Sequence, residues 1–207
     1  MQLIAEKLVV ERGSRTIIRD LSLVVAGGEA IILSGANGAG KTTLLRALAG
    51  FLRPVSGSVR IVNGDSEKTV AEQAHVIGHA NAVKGSLTVR ENVEFWARYL
   101  GAVAHVETRA ERALDHFGLR DLAEFPVAYL SAGQKRRVGL ARLLSAERPV
   151  WLLDEPTVSL DTASTALLAE AIETHIGSGG LAIVASHIPL GLARSRELAL
   201  KPRGANG

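Results

Sequence analysis

The chain of 207 residues contains no cysteine. Disulfides, thiol chemistry and cysteine metal sites are therefore excluded. Aromatic residues make up only 4%, so aliphatic side chains must build the core that a 47% hydrophobic content provides for. Neither sign of charge dominates: the formal charge is +3, too balanced to imply a nucleic-acid surface. The short basic run Lys135-Arg136-Arg137 lies in a helical context and reads as a solvated helix face. No apolar stretch approaches the ~18 residues that would span a bilayer. The first residues, Met1 to Arg12, carry Glu6, Lys7 and Glu11 among their apolar positions and do not read as a signal peptide. The chain is expected to be soluble by itself, so a role at a membrane would need another chain to supply the membrane part. Internal repeats and low-complexity segments are also lacking.

What is present is an alternation of short apolar runs and longer amphipathic stretches. Leu3–Val10, Ile17–Val25 and Ala30–Ser34 read as strands separated by turn signals at Gly13 and Gly27-Gly28. Gly57–Val62 and Ala74–Ile77 are weaker strand candidates. Val150–Leu153 and Leu181–Ala185 are continuous apolar runs, as expected of central strands buried on both faces. A helix is predicted from Gly40 to about Leu52, before Pro54. Others are predicted from Thr88, at the capping box Thr88-Val-Arg-Glu91, towards Leu100; over His105–Phe117, stopping at Gly118; and after Ser131 and Asp161. Strands alternating with helices predict an α/β fold with a mostly parallel sheet. The stretch Val83 to Arg148 is helix-rich and reads as an inserted helical subdomain; Pro202 to Gly207 is expected to fray.

Gly35-Ala36-Asn37-Gly38-Ala39-Gly40-Lys41-Thr42 fits the pattern G-x-x-x-x-G-K-[ST]. Glycines let successive backbone N–H groups point at phosphate oxygens, and the helix that follows adds the positive end of its dipole. Lys41 is placed to bridge the β- and γ-phosphates, and Thr42, followed by Thr43, to ligate Mg²⁺ through its hydroxyl. The pattern arises by chance in about one chain in a hundred of this length. Here the apolar run Ala30–Leu33 enters the loop and the helical pattern Thr43–Leu48 leaves it. Further on, Val150–Leu153 ends in Asp154 and Glu155. Asp154 suits Mg²⁺ held mostly through water, and Glu155 suits a base that polarises the water attacking a γ-phosphate. Acidic residues often end strands, so this pair gains its meaning from the phosphate loop.

Leu130-Ser131-Ala132-Gly133-Gln134 resembles the signature of the ABC ATPases, in which the third position is more often Gly. Ser131-x-x-Gln134 is also a plain capping box, which by itself needs no function. The run lies between the phosphate loop and Asp154, close before Asp154, and Pro156, Ser159-Leu160-Asp161 and Ser186-His187 follow in the family order. The resemblance covers about Leu3 to Leu200. It implies a P-loop NTPase fold: a RecA-like core of about residues 1–82 and 149–201 with an antiparallel β N-terminal part, and a helical subdomain of about 83–148. It also implies ATP and Mg²⁺ as cofactors and catalysis of ATP hydrolysis by Glu155, His187 and Lys41. A head-to-tail homodimer is implied, in which Ser131, Ala132, Gly133 and Gln134 of one subunit face the γ-phosphate held by Gly35–Thr42 of the other, with Asp161 nearby. A capped helix N-terminus is a sound anion site, so the physics agrees.

Two departures narrow the resemblance. Most family members carry an aromatic near the N-terminus that stacks on adenine; here Val9-Val-Glu-Arg12-Gly13 has none. The Arg12 guanidinium can stack instead, or it is solvated and adenine is held weakly. At the family's glutamine loop stands His79, in Val76-Ile-Gly-His79. Imidazole can hydrogen-bond a water or the metal shell, and it also titrates near neutrality. With Glu11-Arg-Gly-Ser-Arg15, Gly85-Ser-Leu-Thr-Val-Arg-Glu-Asn92 and the Leu-Ser-Ala-Gly-Gln signature, these features resemble the haem-exporter ATP-binding subunits of cytochrome c biogenesis. That implies integral membrane partners, an indirect link to a haem chaperone, and a peripheral position on the cytoplasmic face of the bacterial inner membrane. The other reading is a soluble ABC ATPase of a cofactor-assembly system of the iron–sulfur type. A DNA-repair relative is disfavoured, because no sustained heptads offer its coiled coil.

Overall fold

A computed structural model describes residues 1–102 and 104–200. The tail expected to fray, Pro202 to Gly207, lies outside the described residues. Contacts divide the chain into two compact units. Among the described residues, one comprises 1–76, 149–155 and 173–200; the other comprises 77–148 and 156–172.

The first unit carries two sheets. Strands β1 (Gln2–Arg12), β2 (Arg15–Ala26) and β4 (Ser56–Val62) form an antiparallel sheet in the order β2-β1-β4. β1 does not keep strict alternation. Leu3 and Ala5 are buried, then Leu8 and Val10, because a bulge at Lys7, with φ of 47°, adds one residue and resets the phase. Gly57 of β4 makes room for that bulge: a Cβ there would stand 2.5 Å from the Lys7 carbonyl oxygen.

The parallel sheet has the order β5-β6-β7-β3-β8, from β3 (Ala30–Ser34), β5 (Ala74–Ile77), β6 (Val150–Asp154), β7 (Leu181–Ala185) and β8 (Ser195–Ala199). β6 and β7 are buried at every position, which explains why they read as unbroken apolar runs. β8 is the edge strand, and its Ser-Arg-Glu face is exposed. Helix α1 (Lys41–Leu48) ends earlier than its apolar pattern suggests. Gly50 takes φ of 78° and the Phe51 N–H returns to the Arg46 carbonyl at 2.9 Å, a left-handed stop the periodicity does not reveal. Leu44, Leu45 and Leu48 of α1 pack with Leu3, Leu8, Ile31, Leu33, Leu152 and Ile183 in one core.

The second unit holds α2 (Val89–Tyr99), α3 (Val106–His116) and α4 (Ala132–Ser145), with the first part of α5 (Thr162–Gly177). Both capping boxes form. Thr88 Oγ1 accepts from the Glu91 N–H at 3.1 Å while Glu91 Oε2 accepts from the Thr88 N–H at 2.8 Å. Ser131 and Gln134 exchange the same pair at 3.2 and 2.8 Å. Phe117, Leu114, Leu119 and Leu140 are fully buried. Together the parallel sheet, the antiparallel sheet and the helices make the α/β fold expected of a P-loop ABC ATPase. Among the described residues no helix is long and apolar enough to cross a membrane.

Candidate functional site

In the first unit the phosphate loop joins the end of β3 to the start of α1. Gly35, Gly38 and Gly40 take φ of 132°, 82° and 102°, the left-handed territory that only glycine enters without strain. Two of these positions are also crowded. A Cβ on Gly35 would lie 2.4 Å from the Leu200 carbonyl oxygen, and one on Gly40 would lie 2.8 Å from Ile17 Cγ2. Gly38 faces open space, so there φ alone demands glycine. Ala36 and Asn37 are exposed on the loop, whereas Ala39, Lys41 and Thr43 are buried and Thr42 is half-buried.

Four side chains from three segments meet at one ring nitrogen. His187, just beyond β7, places Nε2 3.2 Å from Lys41 Nζ, 3.2 Å from Asn37 Oδ1 and 3.3 Å from Glu155 Oε1. An ammonium only donates and a carboxylate only accepts, so the tautomer of His187 decides which neighbour it serves. Lys41 also donates to the Gly35 carbonyl at 2.7 Å, curled back over its own loop. His187 is half exposed, at 50%, while the Glu155 side chain is 15% exposed. That contrast shields the carboxylate and leaves the imidazole open to a ligand.

Glu155 is held in an uncommon way. Its φ is 46°, unusual for a residue with a side chain, and its N–H donates to the Ala185 carbonyl at 2.8 Å. The ladder between β6 and β7 thus runs one residue past Asp154, which is buried opposite Ala185. Asp154 at the strand end and Thr42 in the first turn of α1 offer one carboxylate and one hydroxyl. No group of three His, Cys, Asp or Glu that could hold a metal occurs among the described residues. A hydroxyl with a carboxylate suits Mg²⁺, which keeps waters and phosphate oxygens as its remaining ligands. Arg12 is exposed at the end of β1, paired across the hairpin with Arg15.

The second unit gathers a different set. Ser131 and Ala132 are exposed at the capped start of α4. A Cβ on Gly133 would lie 2.8 Å from the Ser159 carbonyl oxygen, so the signature turn and the segment 156–161 lie against each other. The Asp161 carboxyl accepts from the Ser164 N–H at 2.7 Å, and its bonds from the Ser164 side chain and backbone hold it below the usual carboxylate range. His79 is exposed, two residues beyond β5.

One expectation fails here. Lys135-Arg136-Arg137 is not a solvated face. Arg136 is buried at 4% exposure, and Arg137 donates to the carbonyls of Phe117 and Gly118. The signal was available: Arg136 stands at the i−4 and i−7 places to Leu140 and Leu143, on the buried stripe of α4.

The sheet order, the glycine loop and the carboxylates at the end of β6 define a nucleotide-binding domain of the P-loop type. Residues 18–158 match the family model described as ABC transporter. The cytochrome c biogenesis ATP-binding export protein CcmA of Rhizobium johnstonii is 46% identical over 201 residues, covering 96% of this chain and 94% of that one. The protein of the same name from Rhodopseudomonas palustris is 48% identical over 187 residues, covering 90% and 92%. A solved structure described as the ATP binding subunit of an ABC transporter superimposes with a TM-score of 0.80 at 26% identity, covering 90% of this chain and 80% of that one. The chain belongs to the ABC transporter family, as an ATP-binding subunit and an ATPase of that family.

Proposed function

We propose that the chain hydrolyses ATP to power the haem-exporter complex of cytochrome c biogenesis, bound as a homodimer to integral membrane subunits. The observation that carries the chemistry is the convergence of Lys41, Asn37 and Glu155 on His187 Nε2. The N–H groups of residues 35–43 cradle the phosphates, and Lys41 swings from the Gly35 carbonyl to the β- and γ-phosphates. Thr42 and Asp154 hold Mg²⁺, which when bound neutralises charge on the β- and γ-phosphates. Glu155 accepts a proton from the attacking water as its oxygen bonds to the γ-phosphorus and the bond to the ADP oxygen breaks. His187 contacts the γ-phosphate and steadies that water against Glu155. Arg12 stacks on the base.

The second half of each site comes from the other subunit, whose Ser131, Ala132, Gly133 and Gln134 present the helix N-terminus to the γ-phosphate, with Asp161 beside it. The RecA-like core, about 1–82 and 149–201, carries the chemistry. The helical subdomain, about 83–148, meets the membrane partner near His79 to Glu94. The assembly sits peripherally on the cytoplasmic face of the inner membrane, with the haem chaperone reached only through the membrane subunits. Support for this task comes from the relatives' shared name together with the Arg12 and His79 features.

Co-purification from detergent-solubilised membranes, with mass identification of what is retained, tests the reading. Cytochrome c maturation membrane subunits are the expected catch. Other membrane subunits would discard the haem task, and soluble assembly proteins alone would discard the exporter.

A further inference from the structure

Arg136 is a buried cation that this chemistry leaves unused. It lies one turn into α4, and its donors reach two separate segments of the same unit. Nε donates to the Pro156 carbonyl at 2.9 Å. Nη1 donates to the Gly78 carbonyl at 2.9 Å and to Asn81 Oδ1 at 3.1 Å. Glycines stand three residues to either side on the same stripe of the helix. A Cβ on Gly133 would lie 2.8 Å from the Ser159 carbonyl oxygen, and one on Gly139 would lie 2.8 Å from that of Asn81. Gly139 sits in mid-helix, where glycine is unfavourable and alanine would be the better helix former. Here the approach of the 81 backbone requires it. Burying a guanidinium is costly unless its donors are met, and a hydrophobe would fill the space more cheaply. Directional bonds to two loops give the arginine a use that packing alone does not.

We propose that Arg136 is a positioning residue that makes segment 78–81, with His79, and segment 156–161, with Asp161, move as one body with the Ser131 end of α4. What those segments meet rests on the function proposed above: the membrane partner on one side and the second subunit's nucleotide on the other. A push on 78–81 is then delivered to 156–161 and to the anion-binding turn through one side chain, with no rearrangement inside α4.

The test uses the full chain as wild type, Arg136→Met, Arg136→Lys and Gly139→Ala, with Leu114→Ala as a control that loosens the same unit away from these bonds. ATP turnover is followed against ATP concentration, nucleotide affinity is measured with a non-hydrolysable ATP analogue, and thermal midpoints are recorded. Arg136→Met is expected to lower kcat about tenfold to a hundredfold, the scale of a misplaced catalytic constellation, with nucleotide affinity unchanged. Its Hill coefficient falls towards one. Arg136→Lys recovers part of the loss, and Gly139→Ala shifts kcat the same way with no change of charge. His79→Ala adds little once Arg136 is gone, because both act through one relay. Unchanged kcat in folded Arg136→Met overturns the proposal. So does an equal loss in Leu114→Ala at the same midpoint, or full additivity with His79→Ala. If Arg136→Met does not fold, Arg136→Lys and Gly139→Ala decide by the same criteria. A wild-type chain without ATP turnover would remove the proposed function instead, whatever the variants do.

Discussion

The two compact units use polar side chains in opposite ways. In the first, functional atoms of side chains face one another: Lys41, Asn37 and Glu155 crowd a single nitrogen of His187. In the second, the side chains around the ends of α4 and the start of α5 mostly serve the backbone. Ser131 and Gln134 satisfy the first N–H groups of α4, Asp161 caps α5, and Arg136 and Arg137 are fastened largely to carbonyls. Chemistry done by side chains survives only where identity is kept. In the role proposed for the Ser131 turn, chemistry done by oriented N–H groups would survive wherever the turn is kept, which fits Ala132 at a position where the family signature more often has Gly.

The largest expected effect probes the first unit. Glu155→Gln keeps the shape and removes the proton acceptor, so turnover should fall by about 10²–10⁴-fold. Binding of ATP is retained, and phosphate release set against equilibrium nucleotide binding checks both. Wild-type turnover in that variant would take Glu155 out of the base role. Lys41→Ala should instead lose affinity, because it removes a cation bonded into the loop.

The next effect is on stability. His175 stacks on Trp151 with centroids 4.1 Å apart and planes 9° from parallel. Burial pushes its pKa down to about 4, against a partial upward pull from the backbone carbonyls of Leu181 and Pro149. With the folded value below the unfolded one of about 6.5, the unfolded chain binds the proton first as pH falls. Stability should be level above about pH 6.5 and decline by about 3 kcal/mol on acidification to pH 4, since 2.5 units separate the two values. Denaturant midpoints across that window measure the slope, and His175→Phe should flatten it.

Ser131→Ala sharpens the contrast in the second unit. Losing the cap should cost about 1 kcal/mol, read as a lower thermal midpoint, while the chain still binds ATP. If stability is unmoved, the turn does not depend on its cap. Smallest is Arg12→Ala: an exposed cation–π contact of about 0.7 kcal/mol corresponds to about a threefold rise in KM, similar for ATP and GTP, in steady-state turnover.

The sequence made legible what depends on local pattern. The glycine loop, both capping boxes and the two fully buried strands are written in consecutive residues, and the structure has them. What long-range packing decides was not legible. β8 is Ser-Arg-Glu-Leu-Ala, too polar to read as a strand; it forms because β3 needs a partner on its open edge. Arg136 shares a helix stripe with Leu140 and Leu143, which hints at burial, but its partners, the distant Gly78 and Pro156 carbonyls and Asn81 Oδ1, are set by tertiary packing. The stop of α1 turns on Gly50 alone, within a continuing apolar pattern.

The wall behind the phosphate loop has a consequence for biosynthesis. β3 is flanked by β7 and β8, and the Leu200 N–H donates to the Ser34 carbonyl at 2.9 Å, beside Gly35. A nascent chain emerging N-terminus first therefore presents residues 35–42 long before their scaffold exists. The binding loop is finished only when the last strand is threaded alongside it, where Ser195 pairs with Ala30, 165 residues later in the β3–β8 register. Capture of nucleotide thus reports that translation has run past β8, and a ribosome-stalled fragment ending before residue 195 should not retain ATP.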